Sequence, residues 1–364
     1  MLAAPAADRF PAYPSSWYLF CQSGALRHRP LSRTMLGRRL VAFRTASGRL
    51  TVLDGSCSHL GANLGRGRVV GEAIQCPFHH WEYGPDGRCT HIPASSKIPA
   101  RARQASYPAV ERHGYVFFFN GPKPRFPLPF FSLARPEDFI ASRPFGAVLD
   151  CQWYMIGANA FDLQHFRAAH DRRLICQPVI DCPAPLARRA TGRFSVVGNS
   201  VPDRLTRWFA GDEVEMSITD WCGNLMFATA TFRRTRSYGM VITEPLATGG
   251  VAVQVIVFVP RSARRLGRVL IDPMHLWIRR LFIKQFLSSD AARLGGSSYN
   301  PIGLIEPDQE LVDYFRWLAG VAQGSRRDDH EMVDDAYGPG GRTGGACATL
   351  GPRTETGCSR RPGP

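Results

Sequence analysis

The sequence predicts an α+β fold with two parts, a small antiparallel β domain followed by a second antiparallel sheet backed by helices. From Trp17 onward, short apolar runs alternate with turn residues, as they do in small β domains. Farther along, several strand-like runs follow one another and helical segments flank them. A chain of 364 residues is long enough for two domains that each have a core.

The strands of the first part are predicted from apolar runs and from the turns between them. Ala46-Ser47-Gly48 is a turn that joins two such runs into a hairpin, and Gly84-Pro85-Asp86-Gly87 is a second turn. The predicted strands are residues 17–21, 39–44, 50–53, 81–83, 88–91 and 115–119.

Two matched pairs of metal-binding residues lie within this part of the chain: Cys57 with His59, and Cys76 with His79. A Rieske [2Fe-2S] cluster needs this set, because it keeps two cysteines on one iron and two histidines on the other. The glycine-rich spacer suits two tight loops held over a cluster. A Cys2His2 zinc site uses the same residue types, but zinc fingers usually pair Cys with Cys and His with His. A Rieske centre is therefore favoured over zinc and over unliganded core residues, and no spacing rule assigns a role to His80.

Composition and charge narrow the class of protein. With 44% hydrophobic and 21% charged residues, the chain has a soluble globular composition, and no apolar run suffices to span a bilayer. The formal charge of +15 is scattered and lacks a nucleic-acid motif, so an acidic electron donor is a better partner than nucleic acid. Ten cysteines without a signal peptide predict metal ligands and reduced thiols in the cytoplasm.

A second group of metal-binding residues follows the Pro-rich segment 121–131. Asp162, His165 and His170 form a D-x-x-H-x4-H pattern, which supplies most of the facial triad that binds Fe(II) and leaves positions for dioxygen and substrate. At about 100° per residue, the two histidines are about 140° apart on an ideal helix. We therefore expect the helix to end or bulge between them if both bind iron; otherwise one histidine is structural.

The second sheet is predicted from strand-like runs at residues 213–220, 225–233, 239–243 and 251–259. Its apolar inner face is expected to be mainly core that could also line a substrate pocket; the residues are Met216, Ile218, Met226, Phe227, Val253, Val255 and Val257. A helix is predicted at 278–287. Within 276–287, Trp277, Leu281 and Phe282 alternate with basic residues, and we favour packing against the sheet over contact with a membrane surface.

The runs CSHLGANL, IQCPFHHWEY and GRCTHIP resemble the Rieske domain of the Rieske non-haem iron oxygenases, especially the arylamine N-oxygenases and, less closely, the steroid ring hydroxylases. The resemblance is dense over 17–121 and sparse beyond. It implies a Rieske domain at 17–121 and a helix-grip-like catalytic domain at 136–323. The remaining segments are an N-terminal extension at 1–16, a Pro-rich linker at 122–135 and a Gly/Pro/Arg-rich tail at 324–364 that is expected to be disordered.

The resemblance also implies roles for individual residues. Cys57, His59, Cys76 and His79 would hold the cluster, while His165 and His170 would bind a mononuclear Fe(II). Asp162 would be the bridging carboxylate that accepts a hydrogen bond from a cluster histidine of the neighbouring subunit. The third iron ligand of the family follows a long helix near the end of the domain, which indicates Asp290. Asp308 and Asp313 remain alternatives.

Such a chain would be a terminal oxygenase component with O2 as co-substrate and an apolar aromatic or polycyclic compound as substrate. The resemblance implies a homotrimer and a ferredoxin or flavin reductase, charged by NAD(P)H, as electron donor. No flavin or nucleotide fingerprint is present, so the reductase is expected to be separate. Hydroxylation, N-oxygenation and demethylation are all open. The alternatives are a desaturase or steroid hydroxylase, or an electron-transfer protein with an inactive second domain.

Overall fold

The computed structural model describes residues 3–27 and 29–334. In the N-terminal part, the strands form three small antiparallel sheets, ordered β1-β11-β10, β2-β3-β4-β9 and β5-β6-β7-β8. All the strands predicted for this part are present. The strands are β1 (Trp17–Gln22), β2 (Leu31–Met35), β3 (Arg38–Arg44), β4 (Leu50–Asp54), β5 (Arg68–Val70), β6 (Ala73–Gln75), β7 (Glu82–Tyr83), β8 (Cys89–His91), β9 (Ser106–Tyr107), β10 (Ala109–Arg112) and β11 (Tyr115–Phe119).

Two loops leave these sheets close to each other. The first follows β4 and contains Cys57, and the second follows β6 and begins at Cys76. Gly61 turns the first loop in the left-handed conformation, with φ of 72°. A Cβ atom on Gly67 would lie 2.0 Å from the carbonyl oxygen of Gln75, so only glycine allows this close approach of the two backbones. The glycine-rich spacer thus holds the two ligand loops side by side.

The Pro-rich linker forms part of the core. Between residues 122 and 135 it has no regular secondary structure, yet Phe126, Leu128 and Phe131 are buried. The indole Nε1 of Trp17 donates a hydrogen bond of 2.9 Å to the carbonyl oxygen of Phe126. Aromatic side chains of the linker therefore pack between the N-terminal strands and the second sheet.

The C-terminal part is one antiparallel sheet with helices, ordered β12-β20-β19-β18-β17-β16-β14, with β13 also paired to β20 and β15 to β16. It confirms the α+β prediction and each of the predicted strands. The elements are β12 (Phe139–Ala141), β13 (Phe145–Leu149), α1 (Trp153–Ala158), α2 (Leu163–His170), β14 (Arg172–Leu174), β15 (Val179–Ala184), β16 (Ala187–Val196), α3 (Val201–Phe209), β17 (Glu213–Trp221), β18 (Leu225–Phe232), β19 (Arg236–Pro245), β20 (Val251–Pro260), α4 (Asp272–Leu294) and α5 (Gln309–Asp334).

The predicted inner face of this sheet is correct for every residue except Phe227. Residues paired across antiparallel strands share a face. Met226 pairs with Val241, and Val241 pairs with Val255, so Met226 and Val255 lie on the same face. Phe227 follows Met226 in the same strand and must point to the opposite face. There it meets Phe131 of the linker, with ring centroids 5.2 Å apart. The face that carries Met226 is the one on which the helices pack.

Helix α4 contains the predicted helix, but its surroundings differ from the prediction. Trp277, Leu281 and Phe282, which we expected to pack against the sheet, are 62%, 45% and 43% exposed. The reason is that the side of the helix opposite Trp277 and Leu281, which carries Phe286 and Asp290, is turned inward. Among the described residues, no helix combines the length and the hydropathy needed to cross a bilayer.

The C-terminal tail begins later than predicted. Helix α5 continues to Asp334, so residues 324–334 are helical rather than disordered. The rest of the predicted tail, including Cys347 and Cys358, lies outside the described residues.

A buried carboxyl–phenol pair anchors the segment that leads into α2. The Tyr314 hydroxyl donates a 2.6 Å hydrogen bond to Asp220, and both side chains are fully buried. A Cβ on Gly157 would lie 2.1 Å from the Tyr314 hydroxyl oxygen, so α1 can pack here only with glycine. Phe161 then stacks on Tyr314 with ring centroids 4.6 Å apart. Burial raises the pKa of Asp220 to about 7, although its hydrogen bonds oppose this shift.

Asp220→Asn is expected to remove a pH-dependent loss of stability. The pKa of Asp220 rises from 3.8, the ordinary value expected in the unfolded chain, to about 7 in the folded chain. Between these values unfolding releases a proton, so the wild-type free energy of unfolding falls as pH rises, by up to about 4 kcal/mol. In urea unfolding between pH 5 and pH 8, the free energy of unfolding of the variant should rise relative to that of the wild type as the pH increases. Parallel curves would contradict this assignment.

Candidate metal centres

The two Cys/His pairs meet at one end of the N-terminal part. Cys57 and Cys76 are buried in the same hydrophobic cluster. His59 and His79 are exposed, with ring centroids 4.7 Å apart. The set therefore has an inner sulfur side and an outer imidazole side, which is the division of ligands that a Rieske cluster requires.

The chemistry around the thiols also fits a cluster. Burial raises the pKa of Cys57, so a thiolate at this position needs a nearby positive charge, which iron supplies. The hydroxyl of Tyr83, on β7, lies 3.0 Å from Cys57 Sγ and 3.0 Å from Ser58 Oγ. Burial raises the pKa of Tyr83 as well, which keeps its proton available for donation to the sulfur. Sequence reasoning assigned Tyr83 only to a strand, because a hydrogen bond from a strand residue to a distant loop has no sequence signal.

The outer side of this end is open to solvent. The His59 ring stacks on Trp81 at 4.5 Å with the ring planes 1° apart. His80 has φ of 57°, and with His59, His79 and Trp81 it borders a hollow of about 430 Å³. Phe78 and Leu60 are exposed beside it. The two imidazoles therefore lie where a partner molecule can reach them.

The second site forms where α2 meets α4. His170 Nε2 lies 2.7 Å from Asp290 Oδ1, and His165 Nε2 lies 3.8 Å from the same oxygen. The candidate ligand atoms of these three residues all lie within 4.8 Å of one another. The alternative carboxylates have other partners, since Asp308 accepts from Gln164 and Asp313 accepts from Gln309. The fold thus brings Asp290, and neither alternative, to the two histidines.

The expected break in α2 is wrong. The helix is continuous from Leu163 to His170, yet the two imidazole centroids are only 5.2 Å apart. His170 is the last residue of the helix, and Asp171 ends it with φ of 51°. His165 turns toward the helix start, where its Nδ1–H donates to the Asp162 carbonyl oxygen at 2.8 Å. Because each ring extends well beyond its own backbone, the two Nε2 atoms converge without a bulge.

The atoms at this site fit a bound metal ion. Within the described part of the chain, His170 Nε2 and Asp290 Oδ1 are buried and have no partner in hydrogen-bond geometry, although they lie close together. Burial lowers the pKa of His165, which favours the neutral imidazole that binds metals. The bond from Nδ1 to Asp162 leaves Nε2 as the coordinating atom.

Other side chains contact this site, and sequence reasoning missed two of them. Phe286 stacks on His170 at 3.7 Å, and the Asn159 amide donates to His165 Nε2 at 3.3 Å, a hydrogen bond that a metal on the same lone pair would replace. Their positions near the ligands in sequence were the only available signal. Asp162 caps α2, because its carboxylate accepts from the backbone N–H groups of Gln164 and His165. Its contact with a neighbouring subunit remains a prediction.

The fold and the two sites define a class of protein in which a Rieske cluster domain is joined to a sheet-and-helix domain with a two-histidine, one-carboxylate site. Residues 16–108 match the family described as the Rieske [2Fe-2S] domain. The N-terminal part is therefore a Rieske [2Fe-2S] domain, as the spacing of its Cys/His pairs predicted.

Relatives in sequence agree with this class. The chain is 41% identical over 170 residues to aminopyrrolnitrin oxygenase PrnD of Pseudomonas fluorescens, which covers 43% of this chain and 46% of that protein. It is 34% identical over 111 residues to the oxygenase component of 3-ketosteroid-9-alpha-monooxygenase of Rhodococcus rhodochrous, covering 30% of this chain and 29% of that one. The predicted resemblance to Rieske oxygenases is confirmed. The matches span about half or less of these curated relatives.

Solved structures extend the similarity of fold to nearly the whole chain. NdmA of Pseudomonas putida CBB5 with caffeine has a TM-score of 0.64 at 18% identity, covering 87% of this chain and 93% of that one. Dicamba monooxygenase bound to 3,6-dichlorosalicylic acid has a TM-score of 0.64 at 20% identity, covering 87% and 99%. At this identity, the comparison shows that the two parts of the chain share the fold of these enzymes.

Proposed function

We propose that this chain is the terminal oxygenase component of a Rieske system and that it oxidises an apolar aromatic or polycyclic substrate with O2. The observation that carries the proposal is the convergence of His165, His170 and Asp290 in a chain that also has a Rieske domain. When bound, the cluster supplies single-electron transfer and Fe(II) supplies the capacity to bind and activate O2. An electron carrier would need only the first of these sites.

At the cluster end, different residues would hold the two irons and tune the cluster. Cys57 and Cys76 would hold one iron in a buried setting, while the exposed His59 and His79 would hold the other near the surface. Donation from Tyr83 to the Cys57 sulfur withdraws negative charge from it and so favours the reduced state. The exposed imidazole edge is where electrons can enter from a partner.

The iron end leaves room for a substrate. His165, His170 and Asp290 would bind Fe(II) from one side, as a facial triad does, and leave the other positions open. The Asp162 carbonyl holds the His165 ring in its tautomer, and Phe286 fixes the plane of the His170 ring. These contacts orient the two imidazoles before a metal binds.

The sheet face beneath α2 is apolar and partly unfilled. Phe166 of α2 packs on this face, with Met216 and Ala230 among its neighbours. Ala228, Ala230 and Gly239 lie on the same face, and a Cβ on the buried Gly239 would meet no atom within 4 Å. Small side chains and free space on an apolar face suit a flat hydrophobic substrate.

The proposal includes partners. A separate ferredoxin or flavin reductase, charged by NAD(P)H, would reduce the cluster. The chain would assemble as a homotrimer in which the Asp162 carboxylate accepts a hydrogen bond from a cluster histidine of the next subunit. The partly exposed position of Asp162 and the exposed cluster histidines are compatible with that contact.

The proposal is tested by product analysis with metal-loaded protein, NAD(P)H, a surrogate reductase and 18O2. The panel contains arylamines, ketosteroids and methoxylated or N-methylated aromatic compounds, and the products are identified by mass spectrometry. We expect at least one substrate to yield an oxidised or desaturated product that depends on the reductase. Reduction of the cluster without product or substrate-dependent O2 consumption across the panel would indicate an electron carrier instead.

In the same assay, Gly239→Phe should affect large substrates most. The added ring would occupy the open space on the sheet face, so kcat/KM for the bulkiest substrate is expected to fall about tenfold or more, while a small substrate is spared. Retention of the wild-type iron content serves as the control for folding. An equal loss for all substrates would contradict a role of this face in substrate binding.

A further inference from the structure

The most prominent exposed apolar surface lies on α4 and the turn before it. A π-helical turn, Gly267–Ile271, leads into the helix, and large apolar side chains project from both into solvent. We call this the α4 surface; its main residues are Leu266, Val269, Leu270, Met274, Trp277 and Leu281. Contiguous apolar patches of this kind are rare on soluble monomers unless they bind something.

The helix cannot bury this surface by rotating. Trp277 and Phe286 are nine residues apart, as are Leu281 and Asp290, which on an ideal helix places the members of each pair about 180° apart. The inward side is held by the stacking of Phe286 on His170 and by a 3.1 Å hydrogen bond from Ser289 to the Ala169 carbonyl oxygen. The iron site therefore fixes which side of α4 faces outward.

The exposed charges that α4 and the turn before it carry are of one sign. Between residues 261 and 284 the sole acidic residue is Asp272, which is buried and accepts hydrogen bonds from Ser262. The exposed charged side chains of this segment are those of Arg261, Arg264, Arg265, Arg268 and Lys284. An apolar stripe bordered by basic residues complements an anionic surface with an apolar interior.

A second apolar element lies at the same end of the sheet. Trp208 and Phe209, at the end of α3, are 68% and 60% exposed. The turn between β18 and β19 connects the two helices, since Arg234 donates to the Trp208 carbonyl oxygen and Arg279 donates to the Thr235 hydroxyl. The end of α3 and helix α4 thus contact the same turn.

We propose that the α4 surface, together with the end of α3, docks this chain on an anionic lipid bilayer. Tryptophan, leucine and phenylalanine on one side with arginine and lysine at the edges are the features by which helices lie in the membrane interface without crossing it. A second copy that met this face with its own α4 surface fits less well, because the basic residues at the edges of the two surfaces would oppose each other. The inference does not depend on the oxygenase activity.

The test uses full-length, metal-loaded protein and sedimentation with vesicles of phosphatidylcholine, either pure or with about one-third phosphatidylglycerol. We expect binding chiefly to the anionic vesicles, with a blue shift of tryptophan emission. The double variant Trp277→Ser/Leu281→Ser should lower the partition coefficient about tenfold or more. The triple variant Arg264→Gln/Arg265→Gln/Arg268→Gln should remove the preference for anionic lipid.

Val179→Ser is the matched control, because Val179 is an exposed apolar residue on β15, away from this surface. It should bind vesicles as the wild type does. All variants should retain the wild-type iron content and melting temperature. The proposal is overturned if the wild type binds neither vesicle, or if Trp277→Ser/Leu281→Ser binds as well as the wild type. If the wild type bound no vesicles and Trp277→Ser/Leu281→Ser changed the oligomeric state, copies of the chain would cover the α4 surface instead.

Discussion

Asp290→Ala is expected to remove the mononuclear iron while the two irons of the cluster remain, and to lower product formation about a thousandfold or more. Asp290 would supply the negative charge of the proposed triad, and its Oδ1 lies 2.7 Å from one histidine and 3.8 Å from the other. Two neutral imidazoles alone would bind Fe(II) weakly. Iron and sulfide analysis, together with the EPR spectrum of the reduced cluster, measures both centres in one preparation.

Two further variants make this result specific. Asp313→Ala removes one of the alternative carboxylates, which accepts hydrogen bonds from Gln309 and Arg316, and it should keep all the iron. His165→Ala should lose the same iron as Asp290→Ala. If Asp290→Ala and His165→Ala both retained the full iron content, the chain would hold only the cluster and would be an electron carrier.

Cys76→Ser is expected to abolish the cluster and to loosen the small sheet β5-β6-β7-β8. The thiol is 1% exposed, so a serine hydroxyl would be a poorer iron ligand and also a buried polar group without its partner. Because metal binding and folding are coupled, the two ligand loops should lose order together. The visible absorption of the cluster should disappear, and the melting temperature should fall.

The matched control is Cys89→Ser. Cys89 belongs to the same hydrophobic cluster as Cys57 and Cys76 and is buried, but it lies outside both ligand pairs. It should keep the cluster absorption and lose only about 1 kcal/mol of stability. A normal cluster spectrum in Cys76→Ser would contradict the ligand assignment.

The parts of the site that sequence alone predicted are those set by short-range spacing. Cys57 with His59, and Cys76 with His79, lie in loops whose glycines allow close approach, so local pattern was sufficient. Asp290 is far from His170 in sequence, so only the resemblance to Rieske oxygenases indicated it, and Asp308 and Asp313 could be set aside only by how α4 crosses α2. No periodicity encodes that crossing.

The errors have equally physical causes. The helical-angle argument for α2 treated side chains as points on a cylinder, whereas His165 turns back toward Asp162 and brings its Nε2 to that of His170. The helical pattern around Trp277 showed an amphipathic helix but not which side faces solvent, since both sides carry large apolar residues. For α4 the inward side was chosen by Asp290 and Phe286, through contacts distant in sequence.

The central claim is that one chain holds two different iron centres, a cluster at the Cys/His loops and a single ferrous ion at His165, His170 and Asp290. The most direct measurement is the EPR spectrum of anaerobically reduced protein after addition of nitric oxide. The account predicts the reduced-cluster signal together with a low-field ferrous-nitrosyl signal, and loss of the latter alone in Asp290→Ala. Iron-replete wild-type protein that gave only the cluster signal would contradict it.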